Sequence, residues 1–218
     1  MRLLAAQVAL LAVAAVTPAQ LVSSSLKAAR AQHSVHYVGT ASVGNISSTT
    51  VGDAAADRGV QYVTYRAGGH TGHVTVRVVA NTAYVKGDAF ALTSYVGFSA
   101  AQAAKYAGKW VLIPQTSSAF KSVAQAVRLG SNIDELQLSP PFTKLGTSTM
   151  QGQRVIGIRG RETQNGITAT ATLYVRAAGT PLPVSEVATE GAIHASVVFS
   201  KWNERVAVTA PAGAVPLG

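Results

Sequence analysis

The sequence predicts an α+β protein in which helices from the middle of the chain cover one face of an antiparallel β-sheet. Two observations predict the sheet: apolar and polar residues alternate in several segments near both ends of the chain, and glycine or asparagine turn signals separate these segments. A third observation predicts the cover, because the apolar spacing becomes that of a helix between about residues 88 and 129.

Composition limits the class of protein. The chain has 218 residues, 48% of them hydrophobic and 12% charged, and its sequence contains no cysteine. A disulfide scaffold, a zinc ribbon and a thiolate enzyme are therefore excluded. The 20 glycines and 8 prolines, with recurring valine, isoleucine, threonine and tyrosine, suit one all-β or α+β domain with a sizeable core.

The chain is strongly basic, with 18 Lys and Arg against 9 Asp and Glu, which gives a net charge of +9. The densest basic stretch is 154–161, where three arginines are interleaved with apolar residues as on the solvated side of a strand. No nucleic-acid recognition motif accompanies this charge, so we expect no nucleic-acid partner.

The first residues have the pattern of an export signal. Arg2 gives a positive start, an apolar run of about 14 residues extends from Leu3 to Val16, and Thr17-Pro18-Ala19 is typical of a cleavage region. The alternative is an uncleaved anchor, but the run is shorter than the roughly 20 residues that a membrane-spanning helix needs. We therefore expect a signal peptide at 1–19, a domain at 20–212, a C-terminal tail at 213–218, and a secreted or cell-envelope location.

The first elements are a helix followed by hairpins. Leu21, Val22, Leu26 and Ala29 fall near helical spacing and predict an amphipathic helix over residues 20–32. Period-two alternation then predicts strands, with turns at Gly68-Gly69 and Asn81, over 33–44, 59–67, 72–80 and 82–86.

The middle of the chain is predicted to be mainly helical. Segments 88–96 and 99–106 come first, and Ser99 can cap the second, which Gly108 can end. A strand at 109–113 ends at Pro114, and a helix at 118–129 ends at Gly130. This helix has one apolar stripe, formed by Phe120, Val123, Ala124 and Val127.

A rigid connector is expected at 139–143, which contains Pro140-Pro141. Four more strands follow it, over 153–162, 168–176, 183–189 and 192–202. Asn165-Gly166 is a hairpin signal between the first two of them.

The predicted sheet has one apolar and one polar face. The polar face carries His73, Thr75, Arg77, Arg159, Thr168, Thr170, Thr172 and His194. The apolar face includes small side chains at Ala169, Ala171 and Ala195, which leave room for an apolar ligand. The alternative is an ordinary packed core, because alanine is abundant throughout the sequence.

Four segments in order along the chain carry a family resemblance. They are Ala83-Tyr84-Val85-Lys86-Gly87-Asp88, Ala104-Lys105-Tyr106-Ala107-Gly108-Lys109-Trp110-Val111, Leu173-Tyr174-Val175 with Pro181-Leu182-Pro183-Val184, and Phe199-Ser200-Lys201-Trp202 with Val206-Ala207-Val208-Thr209-Ala210-Pro211. Together they resemble the LppX/LprA/LprF/LprG family of actinobacterial envelope lipoproteins, relatives of the LolA lipoprotein carrier. The resemblance covers about residues 20 to 212.

The resemblance implies a LolA/LppX-like fold, a strongly curved antiparallel β half-barrel with helices plugging its concave face. It also implies a hydrophobic cavity that binds acyl chains of lipids or glycolipids, with no cofactor and no catalytic residue. Family members are typically tethered by a lipidated cysteine, which this sequence lacks. We therefore expect an exported, monomeric carrier that contacts a membrane surface. Either this relative is released as a soluble carrier, or the assigned start of the sequence is wrong, or the signal segment is retained as an anchor.

The expected lining of this cavity combines the apolar strand face with apolar residues of the midchain helices. It consists of Val74, Val76, Val78, Phe90, Leu92, Phe120, Val123, Val127, Ile156, Ile158, Ala169, Ala171, Leu173, Val175, Ile193, Ala195, Val197 and Phe199. A helix such as 118–129 is expected to move aside on binding, with Gly97 and Gly130 as hinges. Basic residues near the mouth can attract anionic headgroups or remain ordinary solvated charge: Lys105, Lys109, Lys121 and Arg128.

Other functions are weakly supported. The sequence has no nucleophile elbow, zincin motif, P-loop or dinucleotide fingerprint. Asp53 and Asp57 resemble surface charge, and His70 with His73 is an incomplete ligand set, so we expect no metal site. The alternative to the carrier is a filled-core sensing or protein-interaction module of the cell envelope on the same fold, with no lipid cargo.

Overall fold

A single curved sheet organises the protein, and the computed structural model describes residues 16–125, 127–164 and 166–218. In these residues the sheet has twelve strands in the order β12-β6-β5-β4-β3-β2-β1-β11-β10-β9-β8-β7. All neighbours are antiparallel except β12 and β6, and β12 and β7 form the two open edges. Most of the predicted signal peptide lies outside the described residues.

The strands are long in both halves of the chain. In the first half they are β1 (Ser34–Val43), β2 (Ile46–Ala55), β3 (Arg58–Ala67), β4 (His70–Val79), β5 (Thr82–Gly87) and β6 (Val111–Pro114). In the second half they are β7 (Ser139–Met150), β8 (Gln153–Gln164), β9 (Ile167–Arg176), β10 (Pro183–Glu190), β11 (Ile193–Ser200) and β12 (Val215–Pro216).

The helices are short, apart from the first. They are α1 (Pro18–Arg30), α2 (Ala89–Ala91), which continues into a π-helical turn (Leu92–Val96), α3 (Ala100–Tyr106), α4 (Ser118–Gln125) and α5 (Leu129–Asp134). Thr17 and Gln20 form a capping box at the start of α1, and Ser99 and Gln102 form another at the start of α3. The predicted cleavage point near Ala19 falls in the first turn of α1 and stays a prediction.

The pairing of β1 with β11 joins the two halves of the sheet. Tyr37 lies opposite Phe199, Gly39 opposite Val197, and Ala41 opposite Ala195, with no irregularity along the ladder. Because opposite residues of antiparallel strands point to the same face, these residues share the inner, concave face of the sheet. The N-terminal and C-terminal strands therefore build one continuous surface.

The predicted turns at Gly68-Gly69 and Asn81 are confirmed. Gly68 and Gly69 have φ values of 58° and 78° between β3 and β4, in the left-handed region that glycine adopts without strain. Asn81 lies between β4 and β5, next to Ala80 with φ of 52°. Asn165 is outside the described residues, although its neighbour Gly166 has a left-handed φ of 80° between β8 and β9.

Three sequence predictions of local structure were wrong. Strand β2 was missed, because its serines and threonines lack an apolar alternation. The segment 139–143 is the start of β7 rather than a connector, since its prolines lie where β7 pairs irregularly at the edge of the sheet. The predicted helix 118–129 is α4 as far as Gln125, and Gly130 lies inside the separate helix α5.

The helices pack on the inner face in two hydrophobic clusters. In the first cluster, α2, the π-helical turn, α3 and α4 cover β3 to β6 around Val76, Leu92 and Ile113. In the second cluster, α1 and α5 cover β1 and β7 to β11 around Ile133, Ile158 and Leu173. The sequence-predicted cover of a one-sided sheet is confirmed, but it is divided between two groups of helices.

The last residues, predicted as a tail, are attached to the first cluster. Val215 and Pro216 pair with Val111 and Leu112 of β6. The Tyr106 hydroxyl lies 3.3 Å from the carbonyl oxygen of Pro216, to which it donates a hydrogen bond.

Gly59 permits a close approach between β3 and the segment that links α4 to α5. A Cβ atom at Gly59 would lie 2.2 Å from the Val127 carbonyl oxygen. We expect Gly59→Ala to lower the free energy of unfolding by about 3 kcal/mol, the upper end of overpacking costs. Urea denaturation followed by circular dichroism measures the change.

Gly130→Ala is the matched control, because a Cβ at Gly130 meets open space inside a helix. We expect this variant to equal the wild type or to gain up to about 1 kcal/mol. Equal stabilities of the two variants would contradict the steric role of Gly59.

Candidate functional site

A cavity of about 300 Å³ lies on the concave face where the two clusters of helices meet. The sheet contributes its floor, and the π-helical turn and α5 with the residues just after it contribute its other walls. The lining residues are Tyr37, Gly39, Thr50, Gln61, Tyr95, Asn132, Glu135, Leu136, Glu162, Gln164, Glu186, Ala188, Ala195, Ser196, Val197 and Phe199.

The apolar part of the floor is a strip on the two strands β10 and β11. Ala188 lies opposite Ala195, and Glu186 lies opposite Val197. Phe199 continues the same face of β11 and packs 6.0 Å from the Trp202 ring, centroid to centroid. This strip of the floor therefore presents small apolar side chains and one aromatic ring, next to the carboxyl group of Glu186.

Glu186 is the unusual residue of this floor. Its side chain is only 6% exposed, and its Oε1 atom has no hydrogen-bond partner among the described residues. Burial, together with the nearby carboxylates of Glu162 and Glu135, raises the pKa of Glu186 to about 8. At neutral pH the carboxyl group is therefore largely protonated when the cavity is empty.

Two more glutamates lie nearer the mouth of the cavity. Glu162 on β8 is half-buried and Glu135, just after α5, is exposed. Desolvation raises the pKa of Glu162, and desolvation together with Glu162 raises that of Glu135. The three carboxyl groups thus extend from the floor of the cavity to its mouth.

A chain of hydrogen bonds crosses the side of the cavity formed by β1 to β3. The Tyr37 hydroxyl donates to Gln61 Oε1 over 3.0 Å, and Gln61 Nε2 donates to the Tyr95 hydroxyl over 3.3 Å. Gly52 makes room for the Tyr37 ring, since a Cβ there would lie 2.4 Å from the ring carbon Cζ. Burial raises the pKa of Tyr37, so its hydroxyl stays protonated and remains a donor.

Beyond the cavity, the inner face continues uncovered to the hairpin tips. Val43 lies opposite both Ile46 and Ile193, on the same face as Ala41 and Ala195. The exposed fractions of Val43 and Ile46 are 45% and 39%. Ile167, at the tip between β8 and β9, is 47% exposed on the same inner face. An apolar track therefore runs from Phe199 out to solvent.

Comparison with solved structures identifies the fold. LprF from Mycobacterium bovis superposes with a TM-score of 0.61 at 17% identity, covering 90% of this chain and 97% of that one. The lipoprotein LppX from Mycobacterium tuberculosis gives 0.56 at 18% identity, covering 88% and 100%. The chain has the LppX/LprF-type fold. Neither a family model nor a curated protein matches the chain.

The LppX/LprF-type fold confirms the fold class and the resemblance predicted from the sequence, including the curved antiparallel sheet and the helices on its concave face. At 17% and 18% identity the likeness concerns the fold alone. In the described part of the chain, none of the helices has the length and apolar character needed to span a bilayer.

Within this LppX/LprF-type fold, three of the eighteen expected lining residues border the cavity: Ala195, Val197 and Phe199. Seven others belong to the first cluster: Val74, Val76, Val78, Leu92, Phe120, Val123 and Val127. Six belong to the second: Ile156, Ile158, Ala169, Ala171, Leu173 and Val175. Phe90, which packs on Tyr65 and His70, and Ile193 belong to neither.

The basic residues expected near the mouth lie elsewhere. Arg128 packs over the Phe120 ring, Lys105 packs over the Tyr106 ring, and Lys109 donates to the Lys105 carbonyl. No lysine, arginine or histidine is among the described residues that line the cavity. The expected mobile helix, 118–129, corresponds mainly to α4, which packs in the first cluster and does not line the cavity. The helix that borders the cavity is α5, through Asn132.

The other polar residues that the sequence singled out also have local partners. Asp53, predicted as plain surface charge, contacts His36 across β1 and β2, with 2.8 Å between Oδ1 and Nδ1. His73 Nδ1 lies 3.2 Å from the Thr64 hydroxyl. Within the described ranges, no three His, Cys, Asp or Glu side chains group together as metal ligands do.

Sequence reasoning missed the glutamates of the cavity, although period-two alternation contains the signal. On β10, Glu186 is on the same face as Ala188, and on β8 Glu162 is on the same face as Ile158. A carboxylate on the apolar side of a predicted strand is unusual because burying its charge is costly. That conflict between pattern and chemistry is the signal by which the sequence singles out these positions.

The raised pKa of Glu186 predicts how stability depends on pH. The folded protein holds this proton up to about pH 8, whereas the unfolded chain releases it near the ordinary value of 4.5. Because the folded state binds the proton more tightly, the free energy of unfolding falls as pH rises through this window. The loss is on the order of 5 kcal/mol at 1.36 kcal/mol per pKa unit.

Glu186→Gln is expected to remove most of this pH-dependent loss, because a neutral amide has no proton to release. The control is Glu204→Gln, at an exposed carboxylate outside the cavity. Urea denaturation between pH 4 and 9 measures the slopes. A Glu186→Gln slope equal to that of the wild type would contradict the burial of an uncompensated carboxyl group.

Proposed function

We propose that this protein is an exported, non-enzymatic carrier that binds acyl chains of lipids or glycolipids on its concave face, for transport in the cell envelope. The observation that carries the proposal is the apolar track, which begins at Phe199 in the cavity and ends at the exposed Val43, Ile46 and Ile167. An open sheet with an incomplete cover gives a long apolar chain a path from solvent to the floor.

The size of the cavity limits what it can hold by itself. About 300 Å³ is at the lower end of ligand pockets and corresponds to roughly ten groups of the volume of a water molecule. Ten buried methylenes contribute about 8 kcal/mol, and the cost of association is of similar size. A tightly bound acyl chain must therefore also use the track or displace the residues that follow α5.

The proposed export rests on the signal-peptide pattern of residues 1–19. Contact with a membrane surface is supported by the exposed apolar residues at the hairpin tips, which lie at the open end of the track. The net charge of +9 adds attraction to an anionic lipid surface. The tips would then present the track to the bilayer from which the lipid is taken.

A second candidate is the filled-core sensing or interaction module without lipid cargo. Two observations favour it: most of the expected lining residues are packed in the two clusters, and an apolar row crosses the convex face. That row consists of Val38, Val51 and Tyr62, which lie opposite one another on β1, β2 and β3 and are all exposed. In this module the convex row would meet the partner.

Co-purified lipid distinguishes the two candidates. The full chain is expressed in an exporting host and purified without detergent, and native mass spectrometry is combined with organic extraction. We expect acyl lipid at close to one molecule per chain. A lipid-free mass that added decan-1-ol and diacylglycerol leave unchanged would overturn the carrier proposal and favour the interaction module.

Ala195→Phe tests the path of the chain. A large ring at the centre of the apolar strip fills the track, so we expect binding of decan-1-ol to weaken by about tenfold or more. Val198→Phe is the matched control, since Val198 is on the same strand but on the convex face. Titration calorimetry measures both, and equal losses in the two variants would contradict a site on the concave face.

A further inference from the structure

The ionisable carboxyl groups of the cavity are acidic, whereas the chain as a whole is basic. The sequence has 18 basic and 9 acidic residues, yet three of the acidic residues line this one cavity. Among the described lining residues there is no basic side chain to compensate them. When these carboxyl groups are ionised, their potential in the cleft repels anions and attracts cations.

Glu186 gives a second and independent indication of a ligand. It is more than nine-tenths buried, it lines the cavity, and its Oε1 atom lacks a hydrogen-bond partner among the described residues. A buried carboxyl oxygen without a partner costs stability, so such groups are retained mainly where something binds them. Glu186 lies on the same face of the sheet as Ala188 and Val197, so its buried carboxyl group borders the apolar track.

We propose that the cavity binds an amphiphile whose headgroup is a protonated amine, with the ammonium group held by Glu186 and the apolar chain lying along the track. This inference rests on the proposed carrier function and specifies the chemistry of its ligand. The ammonium group donates to the unpartnered Oε1 of Glu186, and the chain leaves past Ala188 and Ala195 toward the hairpin tips. Glu135 and Glu162 supply negative potential at the mouth.

Other ligand chemistries fit the cavity less well. An anionic headgroup would face three carboxyl groups with no basic partner in the described lining. A metal ion needs several ligands around one point, and the described residues do not include such a group. An ammonium group attached to an apolar chain requires one strong acceptor and an apolar wall, and the floor offers both.

Binding of the amine is expected to depend on pH. Burial raises the pKa of Glu186 to about 8, so below that pH the amine must displace a proton from the carboxyl group. The titratable groups that surround it are Glu162 on β8, Glu135 after α5, Tyr37 on β1 and Tyr95 on the π-helical turn. Since the amine stays protonated to about pH 10, as lysine does, affinity should rise between pH 6 and 8.5.

The test compares three probes that share one chain: decylamine, decan-1-ol and decanoate. Binding to the full chain is measured by titration calorimetry below the critical micelle concentration, at pH 6 and pH 8.5. At pH 8.5 we expect decylamine to bind about tenfold more tightly than decan-1-ol, and decanoate to bind most weakly. At pH 6 the preference for the amine should shrink.

Glu186→Gln is expected to bring decylamine to within about threefold of decan-1-ol, without weakening decan-1-ol itself. Glu204→Gln, at a carboxylate remote from the cavity, should leave the preference unchanged. Circular dichroism of each variant confirms that it is folded. If Glu186→Gln fails to fold, the conservative variant Glu186→Asp, which shortens the side chain, should reduce the amine preference.

The outcomes separate this inference from the carrier proposal. If decan-1-ol and decylamine bind equally well, or if decanoate binds most tightly, the amine specificity is overturned while the acyl-chain site stands. If none of the three probes binds, the carrier proposal itself fails. An amine preference that persists in Glu186→Gln would assign the selectivity to surface charge and would also overturn the inference.

Discussion

The ladder between β1 and β11 is the constraint on which the rest of the molecule depends. It pairs residues that are 150 or more positions apart in sequence, and it fixes Tyr37 against Phe199 and Ala41 against Ala195. A slip of one residue would turn the inward side chains of one half-sheet to the convex face. The cavity floor, the apolar track and the position of Glu186 beside Val197 all follow from this register.

The cavity exists because the cover of the sheet is made in two parts. A curved twelve-stranded sheet presents more inner surface than these short helices can bury, and the two clusters leave a seam between them. One wall comes from Tyr95 on the π-helical turn and another from Leu136 after α5. π-helical turns are often found at functional sites, and here the turn brings an aromatic side chain to the edge of the seam. The cavity is thus a consequence of incomplete packing.

Much of the fold follows from sequence patterns that are local. Alternation and turn residues predicted β1, β3, β4 and β5 and the last four long strands, because their inner residues are apolar and their outer residues are polar. Strand β2 was not predictable in this way, since its inner face carries Ser48, Thr50 and Gly52 rather than large apolar residues, and Gly52 makes room for the Tyr37 ring.

The site was less predictable than the fold. Side chains such as Val76 and Leu173 were correctly assigned to the inner face, but whether an inner residue touches a helix or a cavity depends on the cover. The cover in turn depends on where α4 ends and α5 begins, and the apolar stripe of 118–129 runs through that break. Glu186 was overlooked because an isolated acidic residue in a strand is ordinarily solvent-exposed.

The two borders of the sheet have a further consequence for how the protein behaves at high concentration. On one side β6 is covered by the two-residue strand β12, which contains Pro216. On the other side β7 carries Pro140 and Pro141 and pairs with two irregularities of register. Both borders therefore offer few regularly spaced amide groups to a second chain, and short or proline-interrupted borders of this kind oppose strand-by-strand aggregation. A sheet that does not close into a barrel is in this way protected from polymerising through its own edges.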